Sequence, residues 1–81
     1  MKLSELKKGE IGIVKKVNAK EPLKSRLLSF EITKNQKIKM LEHTLAKNTF
    51  EVEINNTKVA LREEEAEQIE VIKEEKWKKL K

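Results

Sequence analysis

His43 is the sole histidine of this 81-residue chain, and the chain has no cysteine. A Ser–His or Cys–His nucleophile pair would rest on that one side chain. No aspartate is available to orient it, because all 14 acidic residues are Glu. Glu42 and His43 offer two metal ligands, but adjacent residues in a strand point to opposite faces and do not converge on one ion. Glu63, Glu64 and Glu65 could attract a divalent cation. On a helical turn, however, consecutive side chains diverge by about 100°. Their better use is as negative charge at the positive end of a helix. No G-x-x-x-x-G-K-S/T phosphate loop occurs. The sequence therefore predicts no catalytic residue, no metal site, no cofactor and no small-molecule substrate, and the chain is not expected to be an enzyme.

What remains is recognition. Lys24 and Arg26 are cationic, and Leu28 is an apolar residue beside them. Arg26 could hold a partner's carboxylate through two parallel N–H bonds. It could equally pair with an acid of its own chain, such as Glu21. At the far end, Lys76, Trp77, Lys78, Lys79, Leu80 and Lys81 combine a ring with bases, a set able to touch acidic lipid headgroups. A frayed terminus is the simpler expectation there. Lys24, Arg26, Leu28 and Trp77 are thus the partner-binding candidates.

The formal charge of +5, from 19 Lys plus Arg against 14 Asp plus Glu, raises nucleic acid as a partner. Two observations oppose it. Arg26 and Arg62 are the only arginines, and bidentate phosphate contacts favour Arg over Lys. Phe30, Phe50 and Trp77 are the only aromatics, and the two phenylalanines lie on predicted core stripes, which leaves no stacking platform. A nucleic-acid-binding small barrel is kept as an alternative function.

These residues need a scaffold, and 37% hydrophobic content supports one small domain. No apolar run approaches the roughly 20 residues of a spanning helix. Lys2, Glu5, Lys7 and Lys8 interrupt the start, so no secretory leader is expected. Without cysteine the domain must hold by packing alone. These features point to the cytoplasm.

Leu3 to Leu6 reads as a short turn, and Lys8-Gly9 as another. Ile11, Ile13, Val14 and Val17 mark a strand over Glu10 to Val17, apolar on both faces. Leu23, Leu27 and Phe30 then fall at i, i+4 and i+7, one helical stripe, with Pro22 at the first helical position. Ile38 and Met40 share a parity in a strand over Lys37 to His43. Phe50, Val52 and Ile54 alternate with Glu51, Glu53 and Asn55, a half-buried strand. Asn55-Asn56 tolerates positive φ and turns the chain into Lys58 to Leu61. Glu63 to Ala66 is a helical turn, and Ile69 and Val71 begin a last strand. Five short strands with one helix between the first two favour a closed or nearly closed barrel.

Three sets of residues at this spacing resemble one family. Leu3, Leu6, Gly9, Glu10, Gly12 and Val14 open the pattern. Leu23-Lys24-Ser25-Arg26-Leu27-Leu28 occupies the helix. Val59-Ala60-Leu61-Arg62, Glu65, Ala66, Ile69 and Val71 close it. Together they resemble the FeoA family, the small cytosolic component of ferrous iron transport. The resemblance implies an SH3-like β-barrel over residues 1–72, followed by a charged tail over 73–81. It implies an accessory that contacts the GTPase domain of the membrane protein FeoB, as a monomer or weak homo-oligomer. Such a chain would meet the inner face of the membrane only through its partner. The same module occurs in iron- and manganese-dependent repressors, so a metal-responsive domain is a further alternative.

The chain departs from the family in its turns. The family has Gly after the helix where this chain has Glu31, so the helix is expected to end differently. Asn35 stands where Pro-Gly is frequent and is the best non-Gly residue for a left-handed position. The loop over Thr44 to Asn48 lacks the family's proline.

Overall fold

The alternation of Phe50, Val52 and Ile54 with glutamates is obeyed: all three are buried, on strand β3 (Thr49–Ile54). The computed structural model describes residues 1–74. A 3-10 turn at Leu3–Glu5 leads to β1 (Ile11–Val17), helix α1 (Leu23–Ser29) and β2 (Lys37–Thr44). After β3 come β4 (Thr57–Arg62), the short helix α2 (Glu63–Ala66) and β5 (Ile69–Lys73). All pairings are antiparallel, and the strand order is β4-β3-β2-β1-β5. The fold is mainly β, with one longer helix between the first two strands, as expected. Among the described residues the hydrogen-bond ladder does not close. β4 and β5 end the sheet, and α2 joins them.

The turns use the residues that tolerate them. Asn55 (φ 49°) and Asn56 (φ 66°) make a two-residue hairpin that sets Ile54 opposite Thr57. Gly9 holds φ +86° and donates its N–H to the Met40 carbonyl at 2.7 Å. Asn35 takes φ 74°, the left-handed position expected of it. In β2 the register shifts between Met40 and Glu42, so Leu41 is an extra residue in a bulge.

Helix α1 is short and pinned at both ends. Pro22 stands one residue before it, at the cap rather than in the first turn. Glu21 accepts the Ser25 N–H at 2.8 Å and the Ser25 hydroxyl at 2.7 Å. Those two bonds, with the charge of Lys24, hold the Glu21 carboxyl below the usual range. At the other end the expected difference does not arise. Glu31 adopts φ 64°, the Ile32 N–H bonds the Leu27 carbonyl at 3.1 Å, and the Glu31 N–H bonds that of Leu28 at 2.9 Å. This is the glycine-type helix ending, made by a glutamate. Asn55 Nδ2 donates to Glu31 Oε2 at 2.6 Å and holds the side chain there.

The core runs through the barrel, with Leu3, Val14, Ile32, Ile38, Val52 and Leu61 among its fully buried members. Leu27 is the buried residue of α1, while Leu23 and Phe30 pack against the core at its margin. Ala66 is fully buried, which is why the α2 turn carries a small residue there. The first residues cover the outer edge of β5. The Val71 N–H bonds the Met1 carbonyl at 2.7 Å, and Lys2 bridges to Glu70. Lys73 Nζ pairs with Glu10 at 2.7 Å, and that contact, with the Lys7 N–H, lowers the Glu10 pKa.

Candidate functional site

Three of the four partner-binding candidates stand on α1, because seven residues of one helix carry all three. Lys24 is exposed, and Leu28 is 49% exposed, unusual for a Leu beside a packed core. Trp77 lies outside the described residues.

Arg26 is engaged within the chain. Its Nη1 lies 2.9 Å from Glu65 Oε2, and its guanidinium sits over the Phe30 ring, 5.5 Å from the centroid. The partner is Glu65, not Glu21, whose carboxylate is occupied by Ser25. With 45% of its side chain exposed, Arg26 still presents part of its donor fork to solvent.

Glu65 is the residue that sequence reasoning missed. It is only 3% exposed. Its Oε1 accepts the Arg62 N–H at 2.8 Å and its Oε2 takes Arg26, so each oxygen has a partner. The signal was available: a glutamate three residues after the residue before a helix is half of a capping box. Glu65→Gln keeps the shape and removes the charge. A hydrogen bond to a charged group is worth about 1.5–3 kcal/mol, discounted here because Arg26 is half in solvent. The expected loss is about 1–2 kcal/mol by urea unfolding; an unchanged midpoint would contradict a structural role for the pair.

Elsewhere the polar residues have ordinary roles. The His43 ring stacks on Phe50 across the strand pair, with centroids 4.0 Å apart and planes within 7°. Phe50 is 4% exposed. Glu42 faces Glu51 on the outer side of the sheet. Among the described residues no three His, Cys, Asp or Glu side chains are grouped to hold a metal ion. A shallow groove runs between the end of α1 and the β3–β4 hairpin, lined by Ser29, Phe30, Glu31, Ile54, Thr57 and Val59.

The FeoA domain model matches residues 1–73. A relative from Campylobacter jejuni, provisionally named Fe(2+) transport protein A, is 44% identical over 71 residues, 88% of this chain and 96% of the relative. The solution NMR structure of a FeoA protein from Chlorobium tepidum superposes with a TM-score of 0.81 at 35% identity, covering 88% of this chain and 68% of that one. A FeoA from Stenotrophomonas maltophilia, solved with zinc and described as a procaryotic SH3 domain protein, gives 0.78 at 26% identity over 89% of each chain. The strand order, the helix between β1 and β2, and a match that runs the length of the domain agree on one conclusion: this chain belongs to the FeoA family.

Proposed function

We propose that the chain is a non-enzymatic accessory of ferrous iron uptake that works by binding the cytosolic GTPase domain of a FeoB-type membrane protein. The observation that carries this reading is the exposed face of α1. It sets Lys24 and Leu28 one turn apart, at i and i+4, on one short, firmly capped helix of a FeoA-family domain, with Arg26 on the opposite flank beside Glu65. A base one helical turn from an exposed apolar residue suits a partner surface that sets an acid beside an apolar patch. The partner supplies the nucleotide chemistry, and this domain biases its conformation or assembly. No helix among the described residues is long and apolar enough to cross a membrane. In this reading the chain acts from the cytoplasmic side and reaches the membrane through its partner. Residues 1–72 act as the interaction module, and the 73–81 tail, with Trp77, adds a second contact.

The test is calorimetric titration of the full chain against the cytosolic domain of the FeoB from the same organism. Wild type is expected to bind. The Lys24→Glu, Leu28→Asp double variant is expected to bind at least tenfold more weakly, with its unfolding midpoint nearly unchanged, because both positions are exposed. No binding by wild type, together with normal iron uptake in a strain lacking the chain, would sink the proposal.

A further inference from the structure

β4 is the open edge of this sheet. In a two-residue hairpin the flanking pair, Ile54 and Thr57, shares ladder bonds, and the bonding then alternates along the strands. Val52–Val59 and Phe50–Leu61 therefore bond each other, and the main-chain N–H and C=O of Lys58 and Ala60 point away from β3. Among the described residues no loop or terminus bonds to them, whereas the corresponding edge of β5 is covered by Met1 and Lys2. The Arg62 N–H is capped by Glu65, so the open stretch is short and has a defined end.

The edge borders the groove. Thr57 and Val59 form one wall and Phe30, at the end of α1, forms the other, with the Arg26 guanidinium stacked on that ring. On the solvent face Lys58, Ala60 and Arg62 stand in a row, and β4 carries no acid. Glu53 lies opposite Lys58 and Glu51 opposite Ala60, both on the β3 side, so the row's outer side, away from β3, carries only Lys58 and Arg62.

We propose that the β4 edge and the groove beside it take an extended segment of a protein partner as an added strand, one whose side chains alternate acidic and apolar. This rests on the reading above, that the chain acts through a protein partner, and it adds to the α1 face a further contact surface with its own binding mode. Main-chain bonds to Lys58 and Ala60 supply the pairing. The side chain opposite Val59 enters the groove toward Phe30 and Ile54, so it is apolar. The side chains beside Lys58 and Arg62 face solvent on the basic row, so they are acidic. A segment of about five residues suffices. Charge decides against a second copy of this chain as the occupant. Antiparallel pairing of two β4 strands sets Lys58 or Arg62 of one copy opposite or diagonal to a base of the other.

Two variants test this in the same titration against the cytosolic GTPase domain. Ala60→Pro removes one outward N–H and blocks the edge. It leaves the β3–β4 ladder intact, since that N–H makes no ladder bond. Lys58→Glu reverses the row's charge without touching the main chain. Each is expected to weaken binding at least tenfold. In amide NMR spectra of the wild type, the titration should shift Lys58, Ala60 and Phe30 most. Wild-type binding with both variants equal to it would overturn the edge assignment while leaving the proposed function standing. Should Ala60→Pro convert a dimer to a monomer with partner binding intact, the edge belongs to a second copy and the proposal is wrong. Absence of wild-type binding removes the proposed function, and this inference falls with it. If Ala60→Pro does not fold, Lys58→Glu and the amide shifts decide alone.

Discussion

Leu27→Ala is expected to destabilise the domain by about 2–5 kcal/mol and to release α1 from the barrel. Leu27 is the one fully buried side chain of the helix, and it sits in the same core cluster as Ile32, Ile38 and Met40. A seven-residue helix is far below the roughly 12–15 residues needed for an isolated helix to be marginally stable, so packing holds it. Leu27 also supplies the carbonyl that accepts the Ile32 N–H in the left-handed ending, and Ile32 is itself fully buried. Truncation therefore loosens the helix and its stop together. For a domain of this size about 4–8 °C of melting temperature is lost per kcal/mol, so the shift should be at least about 8 °C. The adjacent Leu28→Ala is the control. Leu28 is 49% exposed, and its truncation should stay within about 0.5 kcal/mol. Equal effects at the two positions would mean that α1 is held by something other than its buried stripe. Leu27→Ala should also abolish partner binding, because Phe30 and Arg26 depend on the docked helix.

The contrast between Leu27 and Leu28 was legible in the sequence, since a spacing of i, i+4, i+7 picks out one and not the other. The strict alternation around Val52, the turn at Asn55-Asn56 and the roles of Gly9 and Asn35 were legible for the same reason: each is a local rule. The misses come from competition between a local rule and the surrounding structure. Glu31 is a poor residue for positive φ, by roughly 1–2 kcal/mol. Two main-chain bonds, the burial of Ile32 and the hydrogen bond from Asn55 together outweigh that. Leu41 sits in a bulge that an apolar residue between Met40 and Glu42 does not announce. Glu65 looked like one of three solvated glutamates. Its capping bond to the Arg62 N–H is local and could have been read, but its ion pair with Arg26, 39 positions earlier in the chain, could not. The candidate surface divides the same way. Lys24, Arg26 and Leu28 could be found as charged and apolar residues lying off the core stripe of a predicted helix. The groove beside β4 could not, because it exists only where the end of α1 meets a hairpin more than twenty residues later in the chain.

Gly12→Val is expected to be the second severe change, through overpacking rather than a cavity. Gly12 lies in β1 between Ile38 of β2 and Lys73 of β5. A Cβ at this position would stand 2.9 Å from Leu6 Cδ1 and 3.0 Å from both Cβ and Cγ2 of Val71. Leu6 Cδ1 is the far end of a flexible side chain and can turn away. Val71 cannot, because its Cβ is fixed to a strand paired along β1 and its χ1 is stiff. Inserting extra methyl groups into a packed core costs about 1–3 kcal/mol. Ala recovers roughly 0.5–1 kcal/mol of that by restricting the unfolded chain relative to Gly. Gly12→Ala should therefore lose about 1–2 kcal/mol in urea unfolding, and Gly12→Val about 3 kcal/mol or more, enough to leave much of a marginal domain unfolded. The mechanism makes a sharper demand. Val71→Ala alone destabilises by leaving a cavity, but in the Gly12→Ala background it removes the Cγ2 half of the Val71 contact and gives the new methyl room on that side. The double variant should then lose at least about 0.5 kcal/mol less than the two single losses added together. Simple additivity would show that Gly12 is required for its backbone and not for the room it leaves to Val71.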